Sequence, residues 1–241
     1  MTDISMGKCP TFRFKRFELS NSLSAMKVGT DGVMLGAWAR VDGVVRAWDV
    51  GCGTGLIALM LVQRAGVEMT AVDIDAGACR EASYNVASSP WPDAVKVVHG
   101  DVTRIWRSLP APDLIVSNPP YFANSLKAPD DGRSMARHEG TLTYASLVKI
   151  AASALTEHGR LCMVSPADRR ADIEWECMMN RLYVRRITEV CSVKGRDAVR
   201  LMWEVSRDAG PLAIDRVDIR SANNVYSDEY RSLTGDFYLE F

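Results

Sequence analysis

The residues best suited to chemistry stand in one short run, Ser117-Asn118-Pro119-Pro120-Tyr121, directly after the apolar Leu114-Ile115-Val116. Two successive prolines donate no backbone hydrogen bond and hold φ near the extended value, so Asn118 and the Pro119 carbonyl would be fixed at a strand end. A rigid pair of acceptors of this kind suits the two hydrogens of a planar NH2 group. The ring of Tyr121 offers a face for a planar group that has left its stack. Taken alone, Asn-Pro-Pro is also the mark of a plain turn. The choice between the two depends on what lies upstream.

There, Val44-Val45-Arg46-Ala47-Trp48-Asp49-Val50 reads as a strand that runs into Gly51-Cys52-Gly53-Thr54-Gly55 and then a helix over 56–64. A strand, a glycine turn and a helix N-terminus bring backbone amides to a ligand. The spacing is Gly-x-Gly-x-Gly, not the Gly-x-Gly-x-x-Gly of dinucleotide binders, and Asp49 precedes it. A carboxylate there repels a pyrophosphate but attracts an ammonium group, which favours an adenosyl group joined to an amino acid over NAD. The next strand, 69–75, ends in Asp73 and Asp75. Asp73 stands about 20 residues on, where a carboxylate meets a ribose diol, while Asp75 caps the following helix, 76–87. After a third strand, 95–99, Asp101 is placed to accept from an adenine amine.

These residues must be positioned by alternating strands and helices. The strand 113–117 carries the Asn-Pro-Pro-Tyr run. Residues 143–155 and 167–181 read as helices around a strand at 160–164, and 183–193 with 198–205 read as a hairpin that adds edge strands. Between 122 and 140 lies a polar stretch without periodicity, either a recognition loop or a disordered one. Near the start, Phe12-Arg13-Phe14-Lys15-Arg16-Phe17 alternates rings and cations, as an edge strand or a surface for single-stranded nucleic acid would. In Met26-Lys27-Val28-Gly29-Thr30-Asp31-Gly32, Thr30 or Asp31 either caps a helix running through Trp38 or belongs to a loop that closes over a ligand. The aromatics of the closing 236–241 segment are expected to pack inward. The 241 residues suit one α/β domain, with 1–30 as an N-terminal extension. A net charge of -1 leaves any polyanion contact to a local patch. Six scattered cysteines and three histidines fit a reduced, cytoplasmic protein without a metal. No run is long enough to span a bilayer.

Together the three strand-end acids, the glycine turn and Asn118-Pro119-Pro120-Tyr121 resemble a class I S-adenosylmethionine-dependent methyltransferase acting on a planar NH2 group. The Met26 to Gly32 segment, the Phe-rich start and Asp236-Phe237-Tyr238 resemble, over nearly the whole chain, the bacterial tRNA (adenine-N6) methyltransferases that act just after the anticodon of valine tRNA. The resemblance implies a Rossmann-like α/β sheet, mostly parallel with one antiparallel edge strand and helices on both faces. It implies that Asp49, Gly51, Gly53 and Gly55 hold the methionine part of S-adenosylmethionine. Asp73 and the neighbouring Ile74 then belong to the ribose side, and Asp101 and Val102 to the adenine. Asn118, Pro119, Pro120 and Tyr121 form the catalytic stretch, with Asn118 also touching the cofactor. The implied partner is a tRNA anticodon stem-loop met by Arg13, Lys15 and Arg16, and the protein is expected to work as a monomer. Transfer to a protein glutamine amide or to a guanine amine of ribosomal RNA remains open, as does a cofactor-binding module without activity. A dehydrogenase fits Asp49 and the glycine spacing worst.

Overall fold

A computed structural model describes residues 11–24, 27–120 and 142–241. The alternating rings and cations near the start form a separate two-stranded hairpin, β1 (Thr11–Arg13) and β2 (Glu18–Ser20), not an edge of the main sheet. Phe14 and Phe17, buried and stacked at 4.8 Å, pull it onto the body of the protein. Next comes α1 (Thr30–Trp38), in which Gly32 through Trp38 are all buried.

The repeating unit that follows is β3 (Arg46–Val50), α2 (Leu56–Ala65), β4 (Glu68–Asp73), α3 (Ala76–Ala87), β5 (Val95–His99), the short α4 (Val102–Ile105) and β6 (Leu114–Ser117). It continues with α5 (Tyr144–Ala154), β7 (Arg160–Pro166), α6 (Arg170–Met179), β8 (Tyr183–Val193), β9 (Arg200–Ser206), β10 (Ala213–Arg220) and α7 (Asp228–Thr234). The eight-stranded sheet has the order β10-β8-β9-β7-β6-β3-β4-β5. One strand, β9, is antiparallel to its neighbours β7 and β8. It lies third from the edge, because its hairpin partner β8 packs outside it and β10 adds parallel to β8. β10 is a strand the sequence pattern did not predict: its first half is exposed, none of it is fully buried, and it is rich in charge, as edge strands are.

Burial explains the helices. Leu56 through Val62 are each at most 6% exposed, so α2 is apolar on every side, enclosed by the sheet and α1. A Cβ on Gly36 of α1 would stand 2.7 Å from Met60 Sδ, so glycine permits this close crossing. One core cluster holds α1, α2 and the N-terminal hairpin, and another holds α5 and α6 around Trp48 and Trp203. Each buried indole finds an acceptor: Trp48 Nε1 donates to the Pro110 carbonyl at 3.0 Å and Trp203 Nε1 to Ser165 Oγ at 2.9 Å. The closing aromatics do pack inward, with Phe237 2% exposed.

Candidate active site

Five parallel strands, β7, β6, β3, β4 and β5, end on the same side of the sheet, and a cavity of about 320 Å3 opens there. Its floor is the turn after β3. The amides of Gly51 and Cys52 donate to the Val72 carbonyl at 2.8 and 3.1 Å, which folds the turn over the end of β4. Gly51 and Gly53 line the cavity at φ +72 and +54, a left-handed conformation that costs other residues energy. Gly55 does not line it. It opens α2 at φ +80 and lies against Ala82 of α3.

Asp49 is fully buried beneath this turn rather than on the cavity wall. Its Oδ2 accepts from the Ala58 amide at 3.0 Å, serving a helix start whose N-cap is glycine. Its Oδ1 has no hydrogen-bond partner among the described residues. Burial, with a lesser contribution from the charge of Asp73, pushes its carboxyl up to about 7. An orphaned acid oxygen under a glycine cradle is what a ligand bearing a cation would complete.

The remaining acids ring the opening. Asp73 accepts from the Gly53 amide through Oδ2 and from the Asp75 amide through Oδ1, both at 2.9 Å, so the turn and β4 fix its carboxylate. Ile74, 51% exposed, adds an apolar wall beside it. Asp75 caps α3 through the Gly77 and Ala78 amides, as expected, and also faces the cavity. Asp101 caps α4 through Thr103, and Val102 is buried at the cavity's edge. A carboxylate that caps a helix can still accept through its remaining lone pairs.

Across the opening stands the end of β6. Ser117 Oγ donates to the Val50 carbonyl at 2.7 Å and ties β6 to β3. Asn118 is half-buried and lines the cavity with Pro120, while Pro119 is buried behind them. Tyr121 and the 122–140 stretch lie outside the described residues, as does Met26. Leu142 forms the adjoining wall.

A feature the sequence pattern missed closes the near side. Glu81 of α3, 2% exposed, accepts from the amides of Ser22, Leu23 and Ser24 and from the hydroxyls of Ser20 and Ser22. Asn85, one turn on, exchanges bonds with the Ser20 backbone and donates to the Thr54 carbonyl at 2.9 Å. Lys27 Nζ donates to the carbonyls of Asn21, Ser22 and Ser24. The 20–24 segment is thereby strapped across the glycine turn. Ser24 lines the cavity, and its Oγ lies 3.3 Å from where a Gly53 Cβ would be. The available signal was a polar pair, Glu81 and Asn85, on the face of α3 that also buries Ala78 and Ala82.

Neither Thr30 nor Asp31 caps α1, against one of the two readings. Its N-cap is Gly29 without a side-chain cap, and Asp31 pairs with Arg200 at 3.2 Å. The three basic residues expected to meet RNA are engaged nearby. Arg13 pairs with Glu18 at 3.0 Å, Arg16 lies 5.2 Å from the Trp91 ring, and Lys15 Nζ donates to the carbonyls of Gly235 and Phe241 at 2.6 Å each. Lys15 is an internal tie. Among the described residues no His, Cys, Asp and Glu group is placed to hold a metal, and no helix is long and apolar enough to cross a membrane.

Residues 40–185 match the methyltransferase small domain family. The chain is 41% identical over 232 residues to a tRNA1(Val) (adenine(37)-N6)-methyltransferase of Bacteroides thetaiotaomicron, covering 95% of this chain and 98% of that one. It is 38% identical over 233 residues to the protein of the same name from Yersinia enterocolitica, covering 95% and 93%. The chain belongs to this methyltransferase family. Solved structures agree on the fold: a predicted O-methyltransferase from Agrobacterium tumefaciens superposes with a TM-score of 0.69 at 18% identity, over 86% of this chain and 96% of that one. A ribosomal protein L11 methylase from Lactobacillus delbrueckii gives 0.53 at 17%, over 74% and 78%. In this methyltransferase, then, the mostly parallel sheet is the fold that these solved structures share.

Proposed function

We propose that this methyltransferase transfers the methyl group of S-adenosylmethionine to the exocyclic N6 of adenine 37 in the anticodon loop of a valine tRNA. One observation carries the reading: Asn118 and Pro120 face the same cavity as Gly51, Gly53, Asp73 and Asp101, so an amine and a cofactor can meet there. The residues present fit the cofactor. A glycine cradle, an orphaned buried oxygen on Asp49 and acids at the ends of successive strands match an adenosyl group joined to an amino acid. In this assignment Gly51 and Gly53 meet the methionine end, with Asp49 beneath them and Gly55 shaping the turn from the start of α2, while Asp73 and Ile74 meet the ribose and Asp101 and Val102 the adenine. When bound, the cofactor supplies an electrophilic methyl carbon.

The chain's own residues supply orientation. Adenine N6 is a weak nucleophile because its lone pair is shared with the ring. Hydrogen bonds from its two N–H groups to the Asn118 side chain and the Pro119 carbonyl would localise that lone pair and aim it. Holding two reactants in attack geometry contributes several kcal/mol without acid–base help. Pro119 and Pro120 keep the acceptors from relaxing, and Tyr121 is assigned the stacking face. The same reading makes the enzyme a cytoplasmic monomer that needs no metal.

The test is incubation with methyl-labelled cofactor and total tRNA, followed by nucleoside digestion. N6-methyladenosine in valine tRNA is expected; label in a glutamine amide or on guanine N2 instead would overturn the assignment. Asn118→Ala should lower kcat roughly 100-fold or more, the usual loss for one preorganised polar group, with cofactor affinity nearly unchanged.

A further inference from the structure

We infer that the RNA is held on the side of Asn118 away from the cofactor, by a basic corner of Lys194, Arg196, Arg216 and Arg220 that stands beside an aromatic pocket. This rests on the RNA reading above and names the surface it requires.

Strand order puts the corner on the correct edge. β8 and β10 run parallel to β6, so Val193 and Arg220, which are in register, end on the same edge as Asn118. At about 4.8 Å per strand β10 stands roughly 19 Å from β6, and Arg220 lies six residues, roughly 20 Å, beyond the level of Ser117, which places the corner roughly 28 Å from the end of β6, a span that a stem-loop whose target base enters the cavity can bridge. The Lys194 amide donates to the Arg220 carbonyl, and Arg216 Nη2 to the Arg196 carbonyl, both at 2.8 Å. These bonds gather four cations into one place. The acids there are Asp218, bonded to Arg216 Nε at 2.8 Å, Glu189, in register with Arg216 across β8 and β10, and Asp197 in the turn, so the four cations keep an excess of one. On the opposite side of β6 the cavity is ringed by Asp73, Asp75 and Asp101, which repel phosphates. The field therefore favours approach of a polyanion over β8 and β10.

Arg220 brings the corner beside a pocket of about 400 Å3 lined by Phe12, Tyr226, Tyr230, Tyr238 and Phe241. Its guanidinium lies 4.3 Å from the Tyr226 ring, which in turn stacks on Tyr230 at 5.3 Å. A guanidinium plane held on an aromatic stack is a seat for an unstacked base. The acid on the pocket rim is Glu240, and Arg13 faces it from β1. Val28, Gly29, Thr30 and Leu239 complete the lining. A Cβ on Gly32, less than one turn along α1, would lie 3.9 Å from Asn118 Nδ2. A base that flanks the target adenine can occupy this pocket while the target reaches Asn118. Cations for phosphates interleaved with rings for bases fit single-stranded RNA better than a folded protein.

The experiment is fluorescence anisotropy with a labelled anticodon stem-loop of valine tRNA, over a salt series. Lys194→Ala/Arg196→Ala should weaken binding by about tenfold and flatten the log–log salt slope by roughly 0.7 for each phosphate that is no longer neutralised. Tyr226→Ala should weaken it by about tenfold and Tyr226→Phe much less, because Phe keeps the ring under Arg220. All three should bind S-adenosylhomocysteine as the wild type does, which also verifies their folding. If Tyr226→Ala fails to fold, the exposed Lys194/Arg196 pair still decides. Wild-type affinity and slope in that double variant, while the wild type methylates the RNA, would overturn the inference and leave the proposed reaction standing. A wild type that neither binds nor methylates it would remove both.

Discussion

Replacing Glu81 by glutamine removes one charge and leaves the shape of the strap's anchor unchanged. In the native protein Oε1 accepts from the Ser22 amide at 2.5 Å, the Leu23 amide at 2.9 Å and two serine hydroxyls, while Oε2 accepts from the Ser24 amide at 2.7 Å. Glutamine must turn its NH2 toward one of these sites. The cheaper choice is to abandon the single bond to Ser24, where two donors then face each other. Loss of one buried bond to a charged acceptor costs about 2 kcal/mol. Ser24 lines the cavity, so the cost should fall on the cofactor: about thirtyfold weaker affinity for S-adenosylhomocysteine by titration calorimetry, at 1.4 kcal/mol per tenfold. The dependence on pH has a definite sign. Burial opposes the charge on Glu81, but the amides of Leu23, Ser24 and Ser22 outweigh it and hold the carboxyl below its usual value. Its contribution is therefore complete above the unfolded value, roughly pH 4, and is lost as pH falls through the folded one. The wild type should lose its advantage over Glu81→Gln on acidification. If Glu81→Gln lowers the Tm but binds the cofactor with wild-type affinity, the strap is only a tie between α3 and the N-terminal segment.

Asp49 should show the opposite sign. With its carboxyl raised to about 7 by burial, the free protein loses stability as pH climbs from about 4 to 7, and a cation beside Oδ1 would recover it. Affinity for S-adenosylhomocysteine should thus rise between about pH 6 and 8 with release of a fraction of a proton, seen by calorimetry in buffers of different ionisation enthalpy; Asp49→Asn should bind weakly and without that slope. Arg40→Ala strips both bonds from the Glu204 carboxylate, which is 2% exposed, but the Arg40 side chain is 54% exposed and solvent screens the pair, so the cost should be about 1–2 kcal/mol in urea denaturation while kcat stays near wild type.

What could be read from residues alone, and what could not, divides by the range of the interaction. The turn after β3 was legible because its signal is local: glycines at positive φ, an acid before them and an apolar helix after them all fall within ten residues. The β8–β9 hairpin was legible for the same reason, since 194–197 join two apolar runs. Its place in the sheet was not. Whether β8 or β9 pairs with β7 depends on side chains such as Thr188 and Glu204, whose partners Trp38 and Arg40 lie 150 and 164 residues away. The same limit hid the bonds that Lys15 makes within the chain. An alternating run of rings and cations gives each cation an equal claim on RNA. The backbone carbonyls of Gly235 and Phe241, more than two hundred residues off, use Lys15 to pin the closing aromatics against β1. Charges at Lys194 and Arg220 were equally visible in the sequence, but they had no common address until β10 was placed beside β8 in parallel register. Under the proposal made above, the β8 and β10 ends join the N-terminal hairpin as candidate RNA-facing surface, and in both places some cations also serve ties within the chain: Lys15 to the carbonyls of Gly235 and Phe241, Arg220 to the carbonyl of Asn224.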